Sequence, residues 1–255
     1  IYQDYIAQTW PFGVFYNQNN NGAFLSLILF VGVGWFFQRG PRGLQRYVHL
    51  ALIFLLSLAM FVTGSRGVAL AFLFGAMAYG ALAWREMGRR NLIHLVVVLL
   101  LAFIVNQGVQ WGLPGDTLVE KFSDRGLGSF ERSLLWASAL ELAADVPWYG
   151  VGAGTFWYFY PAYRHPDENS GGFHIHNDYL QILIELGYPA ILLLLIAMAV
   201  LAITYIRRRS AMTVEDHGLF AGLVALMAHS FVAFNFYVLP IQIIAGLYLA
   251  RLHHH

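Results

Sequence analysis

The chain has 255 residues, of which 58% are hydrophobic and only 11% are charged, whereas an average soluble domain has about 45–50% apolar and about 25% charged residues. So few charges cannot keep the surface of a soluble fold of this length in contact with water, and the mean hydropathy of +0.58 indicates a membrane protein. A net charge of +1 excludes a nucleic-acid-binding protein, which needs a basic excess, and the absence of Cys excludes thiolate metal sites and cysteine nucleophiles.

The two ends of the chain point to a fragment. The sequence begins at Ile1 without a recognisable signal peptide, so we expect a piece of a longer protein. His253, His254 and His255 resemble an expression tag.

Seven apolar stretches approach the length needed to cross about 30 Å of hydrocarbon. Each is predicted to be a helix, because backbone in hydrocarbon must pair its own N–H and C=O groups. The predicted spans are Gly22–Phe37, Tyr47–Val62, Gly67–Trp84, Leu92–Val105, Tyr179–Ile206, Gly218–Phe236 and Tyr237–Ala250. We therefore predict an all-α polytopic membrane protein with four spans in residues 1–105, a periplasmic loop with an amphipathic helix in 106–177, and three spans in 178–252.

The basic residues are unevenly divided between the two faces of this arrangement. Loops 38–46, 85–91 and 207–216 and the C-terminus hold ten basic and three acidic residues, a net charge of +7, and the opposite side holds five and eleven, a net charge of −6. Cytoplasmic loops carry the excess of Lys and Arg. The N-terminal segment, the sequence T-G-S-R-G at Thr63–Gly67 and the loop of about 70 residues are therefore predicted to lie on the outer face. Because this loop is long and rich in aromatic residues, we expect an ordered cap.

The sequence T-G-S-R-G precedes the third predicted span. Ser65 is a predicted N-cap, which puts Arg66 in the first turn of the helix. A cation at this position opposes the helix dipole, so an anion is expected beside it. One interpretation is an arginine that snorkels to lipid headgroups; the other is a phosphate site formed by the helix N-terminus, Arg66, Gly64 and Gly67.

The long loop contains a predicted amphipathic helix and a glycine-rich turn. The helix is expected to begin at a Ser129 cap and to end near Asp145 before Pro147, with Arg132 and Trp136 on one face. We expect it to lie along the outer interface or to dip into the bundle. The glycines of G-V-G-A-G-T-F at 150–156, including Gly152 and Gly154, allow backbone to approach a ligand, although a tight turn explains them equally.

The sequence H-I-H-N-D-Y-L at His174–Leu180 precedes the fifth predicted span. Asp178 and Gln181 have the spacing of a capping box. Histidines two residues apart are also typical of metal sites, but zinc needs three or four ligands. Otherwise His176 is either a polar cap or a general base, since the ordinary pKa of histidine is near 6.5.

The ordered set of motifs resembles the O-antigen ligase and O-antigen polymerase superfamily of polytopic glycosyltransferases. The resemblance covers roughly residues 16–189, and members of the family have additional N-terminal spans that this chain lacks. The motifs are F-Y-N-Q-N-N-N-G-A-F-L (Phe15–Leu25), T-G-S-R-G (Thr63–Gly67), R-S-L-L-W (Arg132–Trp136), P-W-Y-G-V-G-A-G-T-F (Pro147–Phe156) and H-N-D-Y-L (His176–Leu180).

The resemblance implies a GT-C-like enzyme of the bacterial inner membrane that moves a glycan from a polyprenyl (undecaprenyl) diphosphate carrier to an acceptor hydroxyl, with inversion and without metal or other cofactor. By match to the motifs, Arg66 and Arg132 hold the diphosphate and His176 positions or deprotonates the acceptor. Two guanidinium groups within about 4 Å contribute roughly 4 kcal/mol each at an effective dielectric near 20. The expected substrate-binding set is Ser65, Gly67, Gly152, Gly154, Asn177 and Tyr179.

The acceptor distinguishes several expected functions. The leading expectation is O-antigen ligation to lipid A–core in lipopolysaccharide synthesis, and the alternatives are a polysaccharide polymerase and a protein O-oligosaccharyltransferase. A lipid or glycan transporter is the alternative from another class. The aromatic residues of 156–163 are expected either to form an interfacial belt or to stack on sugar rings, and the belt is favoured.

Overall fold

The computed structural model describes Phe15, residues 17–111 and residues 127–253, and within these ranges the side chains of all but 109–111 and 127–131. Every regular element in these ranges is helical, which confirms the all-α class. The helices are α1 (Gln18–Arg39), α2 (Gly43–Val62), α3 (Arg66–Ala83), α4 (Arg89–Trp111), α5 (Leu127–Asp145), α6 (Phe156–Phe159), α7 (Asp178–Arg208), α8 (Val214–His229) and α9 (Leu239–His253), with short 3-10 turns at Tyr160–Ala162, Arg209–Ala211 and Asn235–Tyr237.

Five of these helices, α1 to α4 and α7, are long and apolar enough to cross a membrane. Helices α8 and α9 have only 16 and 15 residues. The predicted sixth span was wrong at its C-terminal end, because α8 stops at His229 and a turn and the 3-10 segment Asn235–Tyr237 follow. The structure thus supports a multi-pass membrane protein, and the count of seven spans stays a prediction.

The chain divides into two compact units. The first contains the described residues up to Trp111 together with Val214–Leu226, and the second contains the described residues of 127–213 and 227–253. In the first unit α1 packs on α2 and α3, and Phe30 and Phe72 stack in its core with ring centroids 5.2 Å apart. The outer surface of this unit carries apolar side chains that suit a lipid environment, such as Leu73, which is 55% exposed.

The second unit is organised by α5, α7 and the turn that joins Pro147 to α6. Its buried core contains Leu135 and Leu142 from α5, Phe156 from α6, Tyr160 from the 3-10 turn after α6, and Ile184 from α7. Burial of these apolar groups stabilises the unit by roughly 25 cal/mol per Å². It also fixes the loop segments beside the start of α7.

Helix α7 is broken at Gly187, which has φ 77° and ψ −177°. The part of α7 after this break rises roughly 30 Å, since each helical residue adds about 1.5 Å, and it can therefore span the hydrocarbon layer by itself. Its side chains are largely exposed, as at Leu193 (66%). The part before the break packs inside the second unit, where Ile184 and Glu185 are buried.

Candidate functional site

The T-G-S-R-G motif forms the N-terminus of α3 in the first unit. Ser65 is the N-cap, as predicted, and its hydroxyl accepts the Val68 amide at 3.2 Å. The same hydroxyl donates to Oδ1 of Asn19 at 2.6 Å. Arg66 is therefore the first helical residue, half-buried. Sequence reasoning missed Asn19, although the Asn cluster of 17–21 is the signal that could have found it.

The predicted amphipathic helix is present as α5 in the second unit. It ends at Asp145 as predicted, but it begins at Leu127, so the prediction that Ser129 caps it was wrong. Arg132 is half-buried on this helix. One turn later Trp136 donates from Nε1 to the carbonyl oxygen of Ile175 at 3.0 Å. Helix α5 is thus tied to the backbone immediately before His176.

The segment from His174 to Asn177 leads into α7 in a constrained conformation. His176 has φ 55°, and it is the one non-glycine residue in the described chain with positive φ. Such a conformation costs about 1–3 kcal/mol in a residue other than glycine. The N-cap of α7 is Asn177, whose side chain accepts the Leu180 amide at 3.1 Å. The predicted capping box of Asp178 and Gln181 was therefore wrong by one residue.

Asp178 is instead the first residue of α7 and is fully buried. Its carboxylate accepts the backbone amides of Asn235 at 2.8 Å and Phe236 at 3.3 Å, and its own amide donates to the Ser230 carbonyl at 2.8 Å. These bonds join the start of α7 to the segment between α8 and α9. No local pattern in the sequence indicated this link, because its partners lie more than fifty residues apart.

The surroundings of His176 favour the neutral form of its imidazole. Burial, the positive charge of Arg132 and the neighbouring His174 lower the pKa of His176 to about 4. Its Nδ1 is buried, and within the described residues it has no hydrogen-bond partner. At neutral pH His176 is thus an uncharged group that can accept a proton, and it lies within the electrostatic reach of Arg132.

His174 has a different environment. Its ring stacks on Phe234 with centroids 4.2 Å apart, and its Nδ1 lies 3.3 Å from Nε2 of Gln181. Burial lowers the pKa of His174, while hydrogen bonding to Gln181 and the charge of Glu185 act in the opposite direction. Over the described ranges no three His, Cys, Asp or Glu side chains are grouped closely enough to hold a metal ion.

The glycine-rich turn is held by α7. The amides of Val151 and Gly152 donate to the carbonyl oxygens of Ile184 and Glu185 at 3.0 and 2.8 Å. The amide of Gly154 donates to the Glu185 side chain at 2.8 Å. These hydrogen bonds explain the turn without a ligand, so a substrate-binding role for Gly152 and Gly154 stays a prediction.

The aromatic run after this turn splits into two groups. Phe156 and Tyr160 are buried and stack with centroids 4.9 Å apart, so they belong to the core and to neither a belt nor a sugar platform. Trp157 and Tyr158 are exposed, so for these two residues both an interfacial belt and stacking on sugar rings stay predictions. Tyr160 also donates to the buried carboxylate of Glu168 at 2.8 Å, and Arg164 pairs with that carboxylate at 2.8 Å.

Tyr179 serves to fix α7 against its neighbour. Its hydroxyl donates to the Met227 carbonyl at 2.8 Å, and its ring lies 4.4 Å from that of Phe231. Its predicted contact with substrate stays a prediction, as does that of Asn177 and Gly67.

The predicted site residues divide between the two units. Ser65, Arg66 and Gly67 lie in the first, whereas Arg132, His176 and their neighbours lie in the second. Within the second unit the positive charge of Arg132 is, after burial, one cause of the lowered pKa of His176. The meeting of Arg66 and Arg132 around one diphosphate stays a prediction.

Two comparisons with known proteins show which proteins this chain is similar to. The teichuronic acid biosynthesis protein TuaE of Bacillus subtilis (strain 168) is 28% identical over 187 residues, which are 71% of this chain and 38% of that protein. The chain therefore spans well under half the length of this curated relative. The O-antigen ligase family matches residues 50–195, a range that includes Arg66, Arg132 and His176. The chain belongs to the O-antigen ligase family.

Proposed function

We propose that this protein transfers a glycan from a polyprenyl diphosphate carrier to an acceptor hydroxyl at the outer face of the bacterial inner membrane. The observation that carries the proposal is the strained His176, whose buried Nδ1 has no hydrogen-bond partner among the described residues, in a segment that Trp136 ties to α5, the helix that carries Arg132. A transfer of this kind needs both a proton acceptor and a fixed positive charge for the departing diphosphate.

In the proposed reaction the acceptor oxygen forms a bond to the anomeric carbon while the bond from that carbon to the diphosphate oxygen breaks. The proton of the acceptor hydroxyl moves to the imidazole of His176. The electron pair of the broken bond stays with the diphosphate, whose charge is stabilised by Arg132 and, as predicted from the motif, by Arg66. Attack opposite the leaving group inverts the anomeric centre.

The binding of the donor improves His176 as a base. In the free protein Arg132 is one cause of the low pKa of His176, and a base with a pKa near 4 is weak at pH 7. A diphosphate bound to Arg132 offsets the guanidinium charge and raises that pKa toward its ordinary value. The base is therefore strengthened when the donor is in place.

The leading acceptor is lipid A–core, so the reaction proposed first is O-antigen ligation. One observation favours a second candidate, a polysaccharide polymerase, because the relative TuaE is named for teichuronic acid biosynthesis. Protein O-glycosylation is the third acceptor class, and transport without chemistry is the alternative from another class. All the transferase candidates share the same donor chemistry.

The test is reconstitution of the full-length protein with a defined polyprenyl diphosphate-linked glycan and separate acceptors. We expect release of the carrier diphosphate and a product mass equal to glycan plus acceptor, unaffected by EDTA. Arg132→Ala and His176→Ala should each abolish transfer, whereas Arg207→Ala, an exposed cation near the end of α7, should not. Movement of intact donor across the membrane without cleavage would replace the proposal by transport.

A further inference from the structure

Glu185 is a buried carboxylate in the second unit, two residues before the break in α7, with 1% of its surface exposed. It accepts hydrogen bonds from the amides of Gly154 at 2.8 Å and Phe156 at 3.3 Å, from Nε2 of Gln181 at 3.0 Å and from the hydroxyl of Tyr237 at 2.8 Å. Four donors occupy the acceptor sites of an ionised carboxylate. Because its acceptor sites are filled, Glu185 can influence the site only through the groups that are hydrogen-bonded to it.

The carboxylate fixes the orientation of the Gln181 side chain. Because a carboxylate only accepts hydrogen bonds, the NH₂ group of Gln181 must face Glu185. The amide oxygen of Gln181 is then the acceptor for the Ile175 backbone amide at 3.2 Å. The second N–H of Gln181 is left for Nδ1 of His174 at 3.3 Å. The Ile175 amide, which can only donate, requires the same orientation, so Glu185 and Ile175 hold the Gln181 amide from opposite ends.

Both the amide N–H and the carbonyl oxygen of Ile175 are hydrogen-bonded to side chains. Its amide donates to Gln181, and its carbonyl oxygen accepts the indole N–H of Trp136 at 3.0 Å. The next residue, His176, has the strained φ of 55°. A strained backbone of this kind persists only when its surroundings over-determine it. The bonds from Gln181 and Trp136 supply that constraint on one side of His176, and the Asn177 cap supplies it on the other.

We infer that Glu185 is a positioning residue, which holds His176 in its strained geometry through Gln181 and Ile175. The inference rests on the proposed function, because it assigns Glu185 to the transfer reaction. The same carboxylate holds the turn at Gly154 and Phe156. One buried charge thus sets both the glycine-rich turn and the segment that carries the base.

The test replaces the charge while keeping the size of the side chain. In full-length Glu185→Gln we expect kcat to fall about 10–100-fold, as for a base displaced by about 1 Å, while KM for the lipid-linked donor stays within about twofold. Hydrogen exchange in a peptide covering 174–177 should become faster. Glu141→Gln makes the same chemical change at an exposed position of α5 and should match wild type in both measurements.

A second variant separates the two groups that Glu185 holds. Gln181→Met keeps the length of the side chain but removes the link to Ile175, so we expect the same loss of kcat with unchanged exchange in 152–156. The inference is overturned if Glu185→Gln leaves kcat and the exchange of 174–177 at wild-type values, or if kcat falls without any change in that exchange. If the wild-type protein transfers no glycan, the proposed function fails, and the exchange comparison still decides whether Glu185 holds the segment.

Discussion

Gly187 lies directly against the backbone of Trp148. A β-carbon added at Gly187 would be 2.3 Å from the carbonyl oxygen of Trp148, and the amide of Tyr188 donates to that same oxygen at 2.9 Å. The φ of 77° with ψ of −177° at Gly187 is open to glycine and essentially closed to other residues. The backbone at the break in α7 therefore packs directly against the backbone of the turn after Pro147.

We expect Gly187→Ala to destabilise the protein by at least about 2 kcal/mol, since it adds both backbone strain and a steric clash. Thermal unfolding in detergent measures the loss. Gly246→Ala is the matched control in α9, where an added β-carbon meets no atom within 4 Å, and its stability should be unchanged or slightly higher. Equal melting temperatures for Gly187→Ala and wild type would contradict the close approach.

The N-cap of α3 gives a second prediction. Ser65→Ala removes the acceptor for the Val68 amide and the partner of Asn19, so we expect a loss of about 0.5–2 kcal/mol in unfolding free energy. Ser65→Thr keeps the hydroxyl and should retain most of the stability. If Ser65→Ala unfolds at the wild-type denaturant concentration, the cap contributes nothing.

The pH dependence of transfer tests the low pKa of His176. Because the base must be neutral, activity should be level near pH 7 and should fall only as pH decreases through the pKa, which is about 4 in the free protein. The acid limb of kcat/KM should therefore lie near this value, and the limb of kcat should lie higher, because bound diphosphate offsets Arg132.

Arg132→Gln removes one cause of the low pKa of His176, so that pKa should rise toward its ordinary value. An NMR titration of isotopically labelled His176 follows this shift even if the variant transfers no glycan. A titration that is unchanged or moves to lower pH would show that Arg132 does not act on this imidazole.

The cluster of Glu168, Tyr160 and Arg164 predicts a pH-dependent stability. Burial acts to raise the pKa of Glu168, but hydrogen bonds from Ser170 and Tyr160 and the charge of Arg164 outweigh it, and the net pKa lies below the ordinary value. Since the folded-state pKa is lowered, the ionised carboxylate stabilises the fold above the ordinary pKa of about 4.3. This contribution is lost as pH falls through the folded-state pKa.

Glu168→Gln should therefore cost about 1–3 kcal/mol at pH 7, where a buried hydrogen-bonded charge is lost, and less at pH 3, which lies below the ordinary pKa. Denaturant unfolding at the two pH values measures the difference. Asp167→Asn, at an exposed neighbouring position, serves as the control and should have a small effect at both. A penalty for Glu168→Gln that persists undiminished at pH 3 would contradict the role of its charge.

The residues that sequence reasoning located correctly are those whose roles are local. The cap at Ser65 and the end of α5 at Asp145 follow from the chemistry of one helix terminus. The Asp178 prediction failed because its carboxylate is taken by amides of Asn235 and Phe236, which no spacing rule can foresee. Glu185 falls within the fifth predicted span and received no role from the sequence, because only the folded backbone brings its four donors to it.

The fit between residues 148–156 and 184–188 also limits how this protein can be recombined with its relatives. The backbones of the two stretches pack closely against each other: a β-carbon added at Gly150 would lie 2.5 Å from the Glu185 carbonyl oxygen. A chimera that takes only one stretch from a relative is therefore expected to mismatch at this contact. A graft of either stretch from a relative therefore requires the other stretch from the same relative.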